Sequence, residues 1–286
     1  IVLAAWLYYE DQLTQNDIAK KMCVSRATIV NYLQEARQRG VVRILMNSEI
    51  LTRTEIAQKL ATRYGLDEVL VIPSEKAASP EARLQALGTG GARLIERMVK
   101  PGDTICVSWG RTVLAIADAI SLPRPIEGLT VVQVTGSSMG KREFAAELCT
   151  SIMARNVGAT SVNMLAPAIL SSAGLRDALM GEPALKRQFE LIAQSDMIVF
   201  GVGGLSSEST MRIADVTSDE EIDAYAKDGA VAVLICRFLD NDGKQVIRAL
   251  DTRVIGIELD EFHLVPRRLC VAGGSPQVEA SLAGLT

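Results

Sequence analysis

Residues Thr14–Leu33 read TQNDIAKKMCVSRATIVNYL. Thr14 is a helix N-cap residue with Asp17 three positions on, a capping-box-like start for a helix running to Met22. Ile18, Ala19 and Met22 fall on its inward face. Cys23-Val24 is placed as a tight turn. Ser25 caps the next helix, which continues to about Arg39 and stops at Gly40, a C′ residue. Ile29, Leu33 and Ala36 share one face of this helix, and Arg26, Thr28, Asn31 and Arg37 lie off it. Upstream, Val2, Ala5, Trp6 and Tyr9 recur at helical spacing over Ile1–Tyr9. Downstream, VVRILM (Val41–Met46) reads as a short strand.

Two short helices joined by a tight turn form the helix-turn-helix arrangement. The second helix of that motif enters the major groove and presents its N-terminal residues to base edges. The residue types suit the task. Arg26 reaches guanine or phosphate, Asn31 pairs with adenine, and the methyls of Ala27 and Thr28 meet thymine. Thr14, Gln15, Ser25 and Arg37 complete the DNA-binding set, since hydroxyls, amides and helix N-termini suit phosphate oxygens. The competing reading is a capped three-helix bundle with solvated polar faces. Two capped starts, the turn and a basic outer face together favour DNA.

Charge placement agrees. Residues 1–47 carry six cations against four carboxylates, a net +2 that leaves −6 for the rest of a chain whose total is −4. This suits a small polyanion-binding head on an acidic body. With 286 residues, 48% hydrophobic and only 4% aromatic, the chain is long enough for two domains with aliphatic cores. Five scattered cysteines and a single histidine, His263, form no CxxC or other zinc pattern, so no metal is expected. Reduced, buried thiols in a cytoplasmic protein are the expectation. No apolar run reaches the length of a membrane span. The chain opens on Ile1 and not Met, which leads us to expect residues before it.

Beyond the head, a helix is expected over Glu49–Tyr64, ending at Gly65. Strands and helices then alternate: strand Glu68–Pro73, helix Glu81–Val99, strand Pro101–Gly110, helix Thr112–Ile120, strand and loop Leu129–Gly140, helix Glu143–Val157 and strand Val162–Pro167. Helices Leu175–Met180 and Pro183–Gln194 precede strand Asp196–Leu205, a buried strand Ala230–Leu239 and strand Arg268–Gly274. The alternation predicts an α/β fold with a Rossmann-like parallel sheet covered on both faces. The expected division is 1–47, a winged-type helix-turn-helix head, and 48–286, a linker helix and effector domain.

Open parallel sheets bind ligands beyond the carboxyl ends of their strands. Here those ends are SWGRT, VTGSS, GVGGLSS and VAGGS. They offer Ser108, Gly110, Arg111, Thr112, Thr135, Gly136, Gly201, Gly203, Gly273 and Gly274: backbone N–H groups, hydroxyls and one cation for a small polar ligand. GTGG (Gly88–Gly91) lacks dinucleotide spacing and sits in a helical pattern. No Ser-His-Asp set assembles around His263, whose DEFHLVP surroundings are polar. Asp240 and Asp251 are carboxylates that suit sugar hydroxyls as acceptors. No nucleophile, catalytic residue or cofactor emerges.

Both halves together resemble the SorC-type (SorC/DeoR) family of bacterial sugar-responsive transcriptional regulators. The head LTQNDIAKKMCVSRATIVNYLQEARQRGVVRI carries the resemblance, followed in order by GDTICVSWGRTV, VVQVTG, LAPAIL, ICRFLDNDGK, RVIGIEL and VAGG. It implies a homodimeric or homotetrameric repressor or activator that binds double-stranded operator DNA. It also implies a sugar or sugar phosphate held in a body resembling sugar-phosphate isomerases. Ser108, Gly110, Arg111 and Thr112 then fall in the ligand loop, with Gln133, Thr135 and Gly136 opposite.

Three departures stand out against that family. Val233 stands where a pocket aspartate is common, Gln277 where a phosphate-meeting lysine is common, and MRIADVTSDEE replaces an SGYL-like segment. Loss of a cation removes a charge-assisted contact, so the expected effector depends less on phosphate: a free polyol or sugar. The resemblance also implies that the chain continues past GLT. An isomerase or deaminase with an accessory helical domain is the alternative reading, and an adaptor whose head binds protein is a third.

Overall fold

The computed structural model describes residues 1–42, 54–73, 78–122, 124–138, 142–274 and 278–285. The chain divides into two compact units, Ile1–Ile50 and Leu51–Thr286.

In the first unit, helices α1 (Val2–Tyr9), α2 (Gln15–Met22) and α3 (Arg26–Gln38) enclose a core of Ala4, Ala5, Leu7, Ile18, Ala19, Ile29, Leu33 and Ala36. The caps are side-chain hydrogen bonds. Thr14 Oγ1 accepts from the Asp17 N–H at 3.3 Å and Ser25 Oγ from the Thr28 N–H at 3.1 Å. Each such cap is worth about 1 kcal/mol. Cys23 makes the turn in a left-handed conformation, φ 54°. Gly40, at φ 68°, follows the end of α3. On α1 the inward face differs from the one expected. Val2 and Trp6 are exposed, and the small Ala4 and Ala5 face the core with Leu7. The strand expected over Val41–Met46 falls mostly on residues outside the described ones, as does the start of the helix expected from Glu49.

The second unit begins with α4 (Glu55–Tyr64), capped by Thr54, and α5 (Pro80–Met98), capped by Ser79. Glu68–Pro73 pairs with no strand, contrary to expectation. Leu70 and Ile72 lie along Gly90 of α5, so the apolar run packs on a helix and not in a sheet. GTGG lies inside α5, where a Cβ on Gly88 would sit 2.4 Å from the Ala115 carbonyl oxygen. These glycines bring two helices together.

Five parallel strands follow: β1 (Thr104–Val107), β2 (Thr130–Gln133), β3 (Thr160–Val162), β4 (Met197–Phe200) and, last in the chain, Arg267–Cys270. Their spatial order is β3-β2-β1-β4 and then the Arg267–Cys270 strand. Alternate residues feed two cores. Cys106, Val132, Ile198 and Phe200 face one, and Ile105, Val107, Val131, Met197 and Val199 the other. The helices α6 (Arg111–Ala119), α7 (Ala146–Val157), α8 (Ala173–Met180), α9 (Pro183–Ala193), α10 (Thr210–Ile213) and α11 (Asp219–Lys227) connect them. The edge strand β3 ends at Val162, where the expected strand began. Ala145 splits the helix expected from Glu143 into a 3₁₀ turn (Arg142–Phe144) and α7.

The largest departure is Ala230–Leu239. It is no strand of the parallel sheet but an antiparallel hairpin of β5 (Ala232–Leu234) and β6 (Arg237–Leu239). Ile235 and Cys236, both with positive φ, turn the chain between them. After the hairpin come α12 (Leu259–Leu264), the fifth parallel strand, here β7 (Arg267–Cys270), and α13 (Val278–Ala283).

Candidate effector cavity and DNA-reading helix

From β1 the chain steps outward to β2 and β3, whereas β4 leads to β7 on the other side. The neighbours β1 and β4 therefore flank the point where the strand order reverses, and ligands collect beyond that point. A cavity of about 550 Å³ opens there. Its lining includes Ser108, Trp109, Gly110, Arg111 and Thr112 after β1, Gly201–Gly204 after β4, Gly273 and Gly274 after β7, and Ser209–Met211 at α10. Pro80, Glu81, Arg83, Leu84 and Leu87 of α5, Ser206 and Glu208 before α10, and Val233, Ile235 and Cys236 of the hairpin complete it.

Gly110 makes the β1–α6 corner possible. Its φ of 110° is open to glycine, and it caps α6 without a side chain. The first N–H groups of α6 therefore face outward with no intrahelical partner, at the positive end of the helix dipole. Beside them the Ser108 hydroxyl is 1% exposed and has no hydrogen-bond partner. A buried hydroxyl without a partner costs about 1–3 kcal/mol, and a ligand hydroxyl removes that cost. Arg111 reaches across the cavity, its Nη2 donating to the Glu208 carbonyl at 3.0 Å. The charged side chains among the described lining are Glu81, Glu208, Arg83 and Arg111, two of each sign. Burial pushes the Cys236 thiol up to about 11, with Arg237 and Trp109 beside it pulling the other way.

Eight residues expected at the site therefore meet in one cavity: Ser108, Gly110, Arg111, Thr112, Gly201, Gly203, Gly273 and Gly274. Four others lie elsewhere. Gln133 is fully buried at the end of β2. Its amide donates to the Thr135 carbonyl at 2.7 Å and to Ser137, and its Oε1 accepts from the Met164 N–H at 3.0 Å. Thr135 is bridged to Gly256. Gly136 is crowded by the Pro167 backbone, 2.4 Å from where a Cβ would stand, and lines a separate narrow void. Asp240 accepts from the N–H groups of Asp242 and Lys244 at 2.9 Å and closes the loop after β6. Gln277 lies outside the described residues.

Sequence reasoning missed the α5 residues and Ile235-Cys236. Nothing in the pattern around Pro80 signals a ligand, and the hairpin was hidden inside an apolar run. Asp251, the other carboxylate considered, accepts from the Tyr225 hydroxyl, from Gln245 at 2.9 Å and from the Arg248 N–H at 2.9 Å. His263 is exposed on α12.

On the first unit, Thr14, Ser25, Arg26, Ala27, Asn31 and Arg37 are exposed, and Gln15 and Thr28 half-buried. Arg26 Nε donates to Gln15 Oε1 at 3.2 Å, tying the start of α3 to the start of α2. Ser25 and Thr28 hydroxyls lie 2.8 Å apart. Ala27 and Asn31 lie on the solvent side of the first turns of α3, opposite its buried Ile29, Leu33 and Ala36, and Arg26 is exposed at the start of the helix.

Comparison with known proteins bears on both units. Residues 48–286 match the family model described as "Putative sugar-binding domain". The chain belongs to the SorC-type family of sugar-responsive transcriptional regulators. It is 28% identical to the uncharacterized transcriptional regulator YjhU of Escherichia coli K12, covering all of this chain and 88% of that protein. It is 29% identical to the deoxyribonucleoside regulator of Bacillus subtilis, covering 99% and 90%. The crystal structure of the full-length sorbitol operon regulator SorC from Klebsiella pneumoniae superposes with a TM-score of 0.79 at 25% identity, covering 99% of this chain and 91% of that one. As a SorC-type regulator the chain binds DNA under the control of a carbohydrate-type effector. Among the described residues no helix is long and apolar enough to cross a membrane.

Proposed function

We propose that the cavity at the ends of β1, β4 and β7 is the effector site and that α3 is the helix that reads the operator. The Ser108 hydroxyl carries the first assignment: buried, without a partner, and beside the open N–H groups of α6. Balanced charges in the lining favour a neutral sugar or polyol over one that depends on phosphate. Binding shifts the population of conformers that grip DNA, and linkage makes operator and effector affinities change together. The protein acts as a cytoplasmic homodimer or homotetramer, and it senses its ligand without turning it over.

Calorimetry with matched free and phosphorylated polyols and sugars tests this, read beside operator release. A free compound that binds, and that changes operator affinity through a cavity containing Ser108, is the expected result. Markedly tighter binding of every phosphate ester refutes the phosphate-independent effector. Turnover of a sugar phosphate by the purified protein returns the enzymatic reading.

A further inference from the structure

The hairpin tip is built from residues that hairpin tips avoid. Ile235 and Cys236 have φ of 50° and 63°, a left-handed pair that two-residue turns fill with Asn-Gly or Gly-Gly. For β-branched Ile235 such a conformation is an outlier. Strain of this kind persists where the surroundings over-determine it. Here Val233 exchanges two backbone hydrogen bonds with Gly203, at 2.7 and 3.0 Å. Buried Arg237 is ion-paired with Glu258 at 2.7 Å, and Phe238 stacks on Tyr225 at 3.8 Å. Asn and Gly would make the same turn without the strain. What Ile235 and Cys236 add is their side chains, and both line the cavity beside Val233.

These side chains make one wall of the cavity apolar. The N–H and C=O of Val233 are taken by Gly203, and the Cys236 thiol is only a weak hydrogen-bonding group. A ligand hydroxyl pressed here loses water and gains little, which penalises it. A methyl, methylene or aryl group is favoured instead. We propose that Val233, Ile235 and Cys236 form a specificity wall that selects a carbohydrate with a deoxygenated, alkyl or aryl face. Its hydroxyls then meet Ser108 and the start of α6. This rests on the cavity being the effector site.

The test is calorimetry on the full chain with three matched pairs: 6-deoxy-D-glucose against D-glucose, 5-deoxy-D-ribose against D-ribose, and phenyl against methyl β-D-glucopyranoside. In at least one pair the less polar member binds about tenfold or more tightly. The double variant Ile235→Asn, Cys236→Gly relieves the turn but gives up the core packing of both side chains, and where it folds it loses that preference. Val233→Thr, which adds a hydroxyl to the wall without touching the turn, narrows the preference and covers the case in which the double variant does not fold. No preference in any pair, or a preference untouched by Val233→Thr, overturns the wall. Binding of sugars without preference, weakened by Arg111→Ala, sinks the wall and leaves the cavity standing. Binding that ignores Arg111→Ala sinks the cavity assignment itself, and no binding by any probe counts against both.

Discussion

Arg111 and Glu208 meet across the cavity, the guanidinium Nη2 donating to the main-chain carbonyl at 3.0 Å. One residue opens α6 and the other precedes α10, so this bond joins the loop after β1 to the segment after β4. A ligand seated between them faces the remaining guanidinium donors. Arg111→Ala is expected to weaken effector binding by about tenfold or more, tenfold being the lower end for a hydrogen bond to a charged group. The Tm should change little because the side chain is exposed. Arg111→Lys should recover only part of the affinity, since an ammonium lacks the planar fork. Titration of operator release against the best sugar from a thermal-shift screen gives the answer.

Arg26 and Asn31 are both exposed on α3, and Arg26 is braced by Gln15. Replacing either with Ala should cost about 1–3 kcal/mol of specific operator binding and relax sequence preference. Arg37, farther along the same helix, is suited to phosphate. Its loss should weaken binding to all sequences alike and lower the salt slope by about one. Competition binding at several salt concentrations separates the two behaviours. Full retention of sequence preference by both Arg26→Ala and Asn31→Ala counts against α3 as the reading helix.

The head was legible because its signals are local. Thr14, Ser25 and Gly40 mark helix ends through their own side chains or lack of one, and no distant contact decides them. The β1–α6 and β4 corners were legible for a similar reason, since Gly110 and Gly201 punctuate apolar runs. Gln133 and Asp240 were not separable from ligand residues, because a polar side chain at a strand end looks the same whether it holds a sugar or its own loop. The hairpin was hidden by chemistry that contradicts its conformation. Nothing local in AVAVLICRFL announces a turn, and only the contacts of Arg237, Phe238 and Val233 impose one.

Gly88 and Gly174 make a controlled pair. Both are helical, but a Cβ at Gly88 meets the Ala115 carbonyl oxygen at 2.4 Å, and one at Gly174 meets nothing within 4 Å. Gly→Ala in a helix gains up to about 1 kcal/mol from propensity alone. At Gly174 that gain should appear as a higher Tm. At Gly88 the clash is with backbone that cannot swing away, and overpacking of this kind costs about 1–3 kcal/mol. The net effect there is destabilising, and urea titration of the two variants should move the midpoint in opposite directions.

Buried thiols give the stability a sign at high pH. Burial pushes Cys106, Cys149 and Cys270 up to about 12 and Cys236 up to about 11, from an ordinary 9.0. A pKa raised in the folded state means that the unfolded chain loses its protons first. The stabilising contribution is therefore complete below pH 9.0 and is lost as the pH climbs toward about 11–12. Each thiol contributes a fall of up to about 1.4 kcal/mol per pH unit in that window. Urea midpoints measured from pH 8 upward should decline once the solution passes about pH 9. Cys149→Ala should make the decline shallower by one thiol's share, whatever it does to stability at neutral pH. Alkylation gives an independent reading: Cys23 is exposed and Cys106, Cys149 and Cys236 are buried, so iodoacetamide should modify Cys23 in the native protein while those three thiols react only after unfolding. Rapid native modification of Cys106 or Cys149 would show that the sheet core opens far more readily than its packing implies.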